Sequence, residues 1–314
     1  AGQITAHGYE RDALLAIAFP RRHFRCSSAL IEPLKPLSIE RTANRARVLA
    51  DRFPRTGNWK TVALVIADGM SKQEDVLVAA LNAGLGEIPV FGGSAGNGLA
   101  FGETHVSHAG HAHRNAALVL LIETDLSFRG IGFNHFQPTS RQMVVTRAVP
   151  EERLVLDING VPAAHEYARY VNCPVDELSP RIFAENPVLV RSGKSWHVRA
   201  IQQVEDGGAL SFLSAIDDGL ILTLGQGREI LQTLYSGLEH FHERELKPDF
   251  IIGFDCYLRR LEIEQKNLAD DVSAILRENR VFGFNTYGEQ HLGVHVNQTF
   301  VGVAFFPPSD GALY

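Results

Sequence analysis

The chain has 314 residues, 45% of them hydrophobic and 21% charged, and a formal net charge of -6. This is globular composition with room for one large core or two ordinary ones, and the acidic balance argues against a nucleic-acid partner. No apolar run approaches the ~20 residues of a membrane span, so no membrane association is expected.

In chain order, residues 13–19 (ALLAIAF) read as an opening strand. Residues 1–19 lack the long apolar run and small-residue cleavage site of a signal peptide. The basic cluster Arg21-Arg22-His23 with Arg25 reads as a solvated stretch rather than a phosphate grip. A helix rich in Arg and Ala is predicted between Ser38 and Phe53, stopped by Pro54. A first α/β series follows, with strand 61–68 (TVALVIAD), helix 74–85, strand 88–93 (IPVFGG) and strand 115–123 (NAALVLLIE). Residues 128–134 and 143–148 read as strands around a turn at Pro138, and 153–158 as another, turning at Asn159-Gly160.

From Val161 the texture changes. Residues 162–171 read as a helix with proline in its first turn, and a loop-rich stretch runs to Gly193. Three short strands are predicted at 196–204, 209–215 and 220–224. A helix over 227–245 leads into a second series: strand 249–255 (DFIIGFD), helix 268–276, strand 280–283 and strand 299–306 (TFVGVAFF). The tail after Pro307 reads as frayed. Each series places a His-x-Asn before its last strand, at His113-Arg114-Asn115 and His295-Val296-Asn297. This is self-similarity at half-chain scale rather than a solenoid repeat. It predicts a mixed α/β protein (α+β) of two pseudo-symmetric parts that face each other across a cleft, with packed sheets, flanking helices and a boundary near 157–160.

Residues 281–306 are the most informative stretch. Asn285, Thr286, Tyr287, Glu289, Gln290, His291, His295, Asn297, Gln298 and Thr299 crowd between two strand-like runs. A hairpin needs only a Gly or Asn at its turn, and each unpaired polar group buried costs roughly 1–3 kcal/mol. So many in one hairpin suit a pocket wall better than a solvated edge. Gly92 to Gly98 (GGSAGNG) follows a strand but has neither the Gly-Lys-Ser/Thr of a P-loop nor the dinucleotide spacing. Its glycines suit a ligand pocket or a tight corner equally. Ser94 is not set in a hydrolase elbow.

His105, His108, His111 and His113 cluster without a Cys or carboxylate at ligand spacing, which favours an exposed hairpin over a metal site. His240 and His242 point to different faces of a helix and read as its solvated end. Cys26, Cys173 and Cys256 are an odd, widely spaced set that makes neither a disulfide framework nor a zinc knuckle. A reducing, cytoplasmic setting is expected. Cys173-Pro174 reads as a loop cysteine, and Cys256 as one that packs rather than reacts. No acid–base or nucleophile–base set is legible, which favours a sensing module over an enzyme.

The chain resembles the FIST domain proteins, bacterial sensory modules with an N- and a C-terminal part. The resemblance rests on residues 89–98 (PVFGGSAGNG), the Pro138-Thr139 turn leading to 145–148 (VTRA), 159–164 (NGVPAA), Phe254-Asp255-Cys256 with Arg259, 283–289, and Asn297-Gln298-Thr299. It covers roughly residues 13–306 and implies parts at 13–157 and 158–307. Within the family the chain is most similar to the nitric-oxide-sensing proteins (NosP), through 135–139 (HFQPT), 215–219 (AIDDG), 255–262 (DCYLRRLE), 286–290 (TYGEQ) and 295–299 (HVNQT).

That resemblance implies a cytoplasmic haem b protein that binds nitric oxide and regulates a sensor histidine kinase or a diguanylate cyclase or phosphodiesterase. The broader family implies a sensor of a small ligand such as an amino acid, without haem. A homodimer is left open. His135 and His295 are the expected haem-iron ligands, His135 first because Phe133 and Phe136 flank it. Gly93, Ser94, Asn97, Arg259, Asn285, Tyr287, Glu289 and Asn297 are expected to line a small-molecule pocket at strand ends. Arg259 is expected to pair with a carboxylate, either a ligand's or that of Glu289.

Overall fold

The computed structural model describes residues 2–53, 57, 59–193, 195–239 and 247–307. The chain opens with a hairpin of β1 (Gln3–Thr5) and β2 (Gly8–Glu10), then β3 (Phe24–Ile31) and α1 (Ile39–Ala50), whose N-cap Ser38 accepts from the Arg41 N–H. The first crossover is β4 (Lys60–Asp68), α2 (Glu74–Leu85) and β5 (Val90–Ala95). The histidine-rich segment is the hairpin of β6 (Val106–His108) and β7 (His111–His113), followed by β8 (Ala117–Thr124), β9 (Phe128–Phe133) and the long β10 (Phe136–Val149). After β11 (Leu154–Ile158) and β12 (Val161–Pro162) come α3 (Ala163–Val171) and α4 (Pro180–Glu185), then β13 (Val188–Ser192), β14 (Ser195–Arg199), β15 (Ile201–Glu205), β16 (Ala209–Phe212) and β17 (Ile221–Gly227). Helix α5 (Ile230–Glu239) precedes the second crossover: β18 (Phe250–Cys256), α6 (Tyr257–Gln265), α7 (Ala269–Glu278) and β19 (Val281–Thr286). The chain then forms β20 (Glu289–His291), β21 (Val294–Val296) and β22 (Phe300–Phe305).

The strands build two six-stranded sheets with matching plans, in the orders β21-β20-β5-β4-β8-β3 and β2-β1-β19-β18-β22-β9. In each, one parallel pair (β4/β5, β18/β19) is flanked by antiparallel partners. In each, an edge hairpin comes from the opposite end of the chain: β20–β21 extends the first sheet through β5, and β1–β2 extends the second through β19. The duplication read from sequence is therefore present in the strand plan, but with hairpins exchanged between the parts.

Phe91, Ile122, Leu64, Phe254, Val301 and Phe305 mesh between the two sheets. Helices α1 and α2 cover the outer face of one sheet, and α5, α6 and α7 that of the other. The result is a helix–sheet–sheet–helix stack. A third, curled sheet, β14-β13-β17-β10-β11-β16-β15 with β12 on β11, closes around α3 and α4 on a separate core.

Several expectations are corrected. Residues 13–19 form no strand and run as an unpaired extended strap. Their apolar run is covered on one side only, by the cleft between the sheets, and Leu14 is 95% exposed. The paired strand lies further on, at β3, which takes in Arg25. Pro138 makes no turn but lies within β10 at an irregularity in its pairing with β17, where a missing N–H is tolerated. Helix α6 escaped prediction because its buried face carries Arg259, Arg260 and Glu262, which mask the apolar period. Pro54, His240, His242 and the tail from residue 308 lie outside the described residues.

Gly283 has no room for a side chain: a Cβ there would sit 1.7 Å from the Gly253 carbonyl oxygen. Gly283→Ala is expected to lower the unfolding free energy in urea by about 2–3 kcal/mol, with far-UV dichroism of the folded state unchanged.

Candidate functional site

Strand β4 ends in Asp68, and Asp255 is the penultimate residue of β18. Asp68 is tied down locally, accepting from the Thr104 hydroxyl, the Asn115 N–H at 2.6 Å and the Met70 N–H at 3.0 Å. Asp255 is fully buried and accepts from Arg259 Nε at 2.9 Å and from the Tyr9 hydroxyl. Burial pushes its carboxyl above the usual range, against the pull of Arg259. Arg259 thus pairs with Asp255 one helical turn away, and not with Glu289, one of its two expected partners. Its Nη1 faces His135 Nδ1 at 3.4 Å, and His135 Nε2 lies 2.9 Å from Glu262, which also accepts from Lys266 at 2.7 Å. The result is a buried relay from Asp255 to a half-exposed lysine. Asn285 joins it, donating to the Asp255 carbonyl at 3.2 Å and accepting from Arg260 at 2.7 Å.

The β20–β21 hairpin carries the remaining candidates inside. Glu289 is fully buried with only hydroxyl and amide partners: Thr286 Oγ1 at 2.5 Å, and Thr299 Oγ1 and N–H at 2.6 and 3.2 Å. Burial pushes its carboxyl up to about 8, so it is largely protonated at neutral pH. The Tyr287 hydroxyl is shared among Asn97 Oδ1, the Gly98 carbonyl and the Asn97 N–H, closing the glycine loop. Gly93 abuts Thr286, where a Cβ would come within 2.2 Å of its methyl carbon. Asn297 accepts from the Ala200 N–H at 3.3 Å and donates to the Tyr287 carbonyl at 3.4 Å, reaching across to the curled sheet. The structure therefore groups Gly93, Asn97, Tyr287, Glu289 and Asn297 around the hairpin, and Arg259 and Asn285 around Asp255. These side chains bind one another.

Sequence reasoning missed a third group, where the curled sheet meets α2. Arg153 donates to Asp75 at 2.8 Å, lies 2.8 Å from Glu74, and donates to the Leu213 carbonyl at 2.7 Å. The Ala215 N–H also donates to Asp75, at 3.1 Å. The same Leu213 carbonyl faces His295 Nε2 at 3.2 Å, while His295 Nδ1 lies 3.4 Å from Gln290 Nε2, which donates to Ser94 Oγ at 3.2 Å. Burial works to raise the Asp75 carboxyl, but the charges of Arg153 and Arg199 and the Ala215 N–H oppose it and hold it low. Here the hydrogen bonding is incomplete. Arg199 Nε and Nη1, Ser214 Oγ and Gln290 Oε1 are buried atoms without a partner. His295, Gln290, Ser94 and the 215–219 run hinted at parts of this group, but Arg153, Glu74, Asp75 and Arg199 did not stand out, because nothing in a sequence brings α2 to β14.

Haem or metal ligation needs a free nitrogen lone pair on a neutral imidazole. In both candidates the network assigns Nε2–H to an acceptor, Glu262 for His135 and the Leu213 carbonyl for His295, and leaves Nδ1 accepting from Arg259 or Gln290. Burial also holds His135 below the ordinary imidazole range, despite Glu262. Neither histidine fits an iron in this arrangement. Among the described residues, no three His, Cys, Asp or Glu side chains meet at metal-binding spacing, the β6–β7 histidines included.

Residues 1–161 match the FIST N domain and residues 163–291 the FIST C domain. No curated protein matches the chain.

Glu289 gives this site a pH signature. Its carboxyl titrates higher folded than unfolded, so its stabilising protonation is complete at low pH and is lost as pH rises toward about 8. Glu289→Gln mimics the neutral acid, with Nε2 toward Thr286 and Oε1 toward Thr299. Urea unfolding is expected to show the variant gaining on the native chain by a few kcal/mol between about pH 5 and about pH 8.

Proposed function

The chain belongs to the FIST family, whose domains are signal-transduction sensors of small ligands rather than catalysts, and on that premise we propose that it senses a small carboxylate-bearing molecule, an amino acid in the simplest case. The observation that carries this reading is the incomplete hydrogen bonding where the curled sheet meets α2 and the β20–β21 hairpin. Buried polar groups in native proteins are almost always paired. Here two guanidinium N–H groups of Arg199, the Ser214 hydroxyl and the Gln290 carbonyl oxygen are left over. Arg199 supplies charged N–H donors for a carboxylate. Gln290 Oε1 and Ser214 Oγ accept from an ammonium group. Ser94, from the expected set, orients the Gln290 amide, and Asn297 anchors the neighbouring Ala200 backbone.

The position also suits a sensor. The curled sheet is held to the stack here by the Arg153 ion pairs and by Ala215 on Asp75. A ligand that satisfies both sides tightens that junction, and differential affinity for the tightened state is what a sensor needs. We place the output, as the sequence resemblance implies, on a sensor histidine kinase or a cyclic-di-GMP enzyme. The alternative of a haem b sensor of nitric oxide rests on the sequence resemblance, and it requires His135 or His295 to leave its present partners.

Calorimetric titration with the amino acids and small dicarboxylates is expected to identify a ligand whose affinity falls about 100-fold in Arg199→Met, roughly 3 kcal/mol. Saturation by none of them, or an unchanged Arg199→Met, overturns the proposal. Protein purified from haem-supplemented cells is expected to lack a Soret band. A band that shifts with nitric oxide and is lost in His135→Ala or His295→Ala establishes the alternative.

A further inference from the structure

Away from that junction, the two sheets do not close on each other completely. A cavity of about 420 Å³ remains between them, within the size range of small-molecule sites. Leu64, Ile66 and Leu120 form one wall, and Ile252, Phe254 and Phe284 the other. The strap at residues 13–19 roofs it. None of the described lining residues is charged. A single amide, from Gln3 of β1, interrupts the apolar surface. Gln3 pairs with Phe284 across β1 and β19, so both side chains project from the same face into the space between the sheets. Its Oε1 is buried and has no hydrogen-bond partner.

These features specify a ligand. Leaving apolar walls facing water wastes roughly 25 cal/mol per Å² of possible burial. A charged ligand would lose its hydration with nothing to pair it. A buried carbonyl oxygen without a donor carries a cost that an incoming O–H or N–H relieves. The strap has the composition of an interior strand yet pairs with nothing, so its displacement breaks no sheet hydrogen bonds. We propose that this cavity is a second binding site, for a neutral amphiphile: an alkyl or aryl body with one hydrogen-bond donor that meets Gln3. Phe254 connects it to the rest of the molecule, since it precedes Asp255 and approaches Gly93 beside the buried hairpin.

The test uses the full chain and the dye N-phenyl-1-naphthylamine, an aryl body with one N–H. Its emission is expected to rise and shift to the blue on binding. Decanol is expected to displace it, and decanoate at neutral pH to compete at least about ten-fold less well because its charge is unpaired in the cavity. Ile66→Trp fills the cavity and is expected to abolish dye binding while leaving the amino-acid titration at the Arg199 junction unchanged. Gln3→Leu is expected to weaken decanol about five-fold and leave decane unaffected. This second variant keeps the test decisive if Ile66→Trp proves unstable by far-UV dichroism. No dye binding by the native chain, equal competition by decanoate, undiminished binding to a folded Ile66→Trp variant, or an unchanged decanol affinity in Gln3→Leu would each overturn the assignment.

Discussion

The pairing of β20 with β5, Glu289–His291 against Phe91–Gly93, is the contact on which the rest of the molecule depends. A six-residue strand such as β5 would otherwise leave a row of bare N–H and C=O groups at the sheet edge. By covering that edge, the hairpin carries Glu289, Gln290 and His295 into the interior, where each must find a partner. The reciprocal pairing of β1 with β19 covers the second sheet and brings Tyr9 to Asp255. Neither part completes its own sheet, so the two cannot be separated without exposing an edge in each.

That exchange explains why the interior is polar where most cores are not. The Arg259–Asp255 pair and the Arg153 pairs with Glu74 and Asp75 are buried or nearly so. Such pairs add little net stability over an apolar core, but removing one partner costs about 3–5 kcal/mol. They fix the relative placement of elements distant in sequence. Arg153 joins β11's approach to α2, and Arg259 joins β18 to the connection between β9 and β10 through His135. Glu289 is the exception, lacking a cation: burial keeps it a neutral acid, against the hydrogen bonds that two threonines donate to it. The ion pairs lock the stack, and the unsatisfied atoms that gather at Arg199, Ser214 and Gln290 mark one place where the lock is incomplete.

Much of the fold was legible from local pattern. The buried strand TVALVIAD, the helix at 74–85 and the second series at 249–306 follow from apolar runs and 3.6-residue spacing, and their repetition foretold two related sheets. The density of polar side chains at 285–299 read as a pocket wall, and the structure buries these groups, several of them bonded to one another. Where local pattern failed, the cause was tertiary. Residues 13–19 have the composition of a strand, but they lie over the cleft between the sheets and pair with neither. Helix α6 buries charged residues because Asp255, Asn285 and His135 wait for them. The imidazoles of His135 and His295 were legible as important but not as already bonded.

Sequence by itself determined the central strands and helices of the two series, their repetition and the polar richness of the last hairpin, because each depends on residues within about a dozen positions of one another. Only the tertiary structure decided which edge each hairpin covers, which carboxylate meets Arg259, and that Arg199, Ser214 and Gln290 share one junction. The hairpin pairings, Glu289 with Gly93 and Gln3 with Phe284, join residues from opposite ends of the chain, and nothing in a linear pattern encodes the partner that a buried group finds across such a distance.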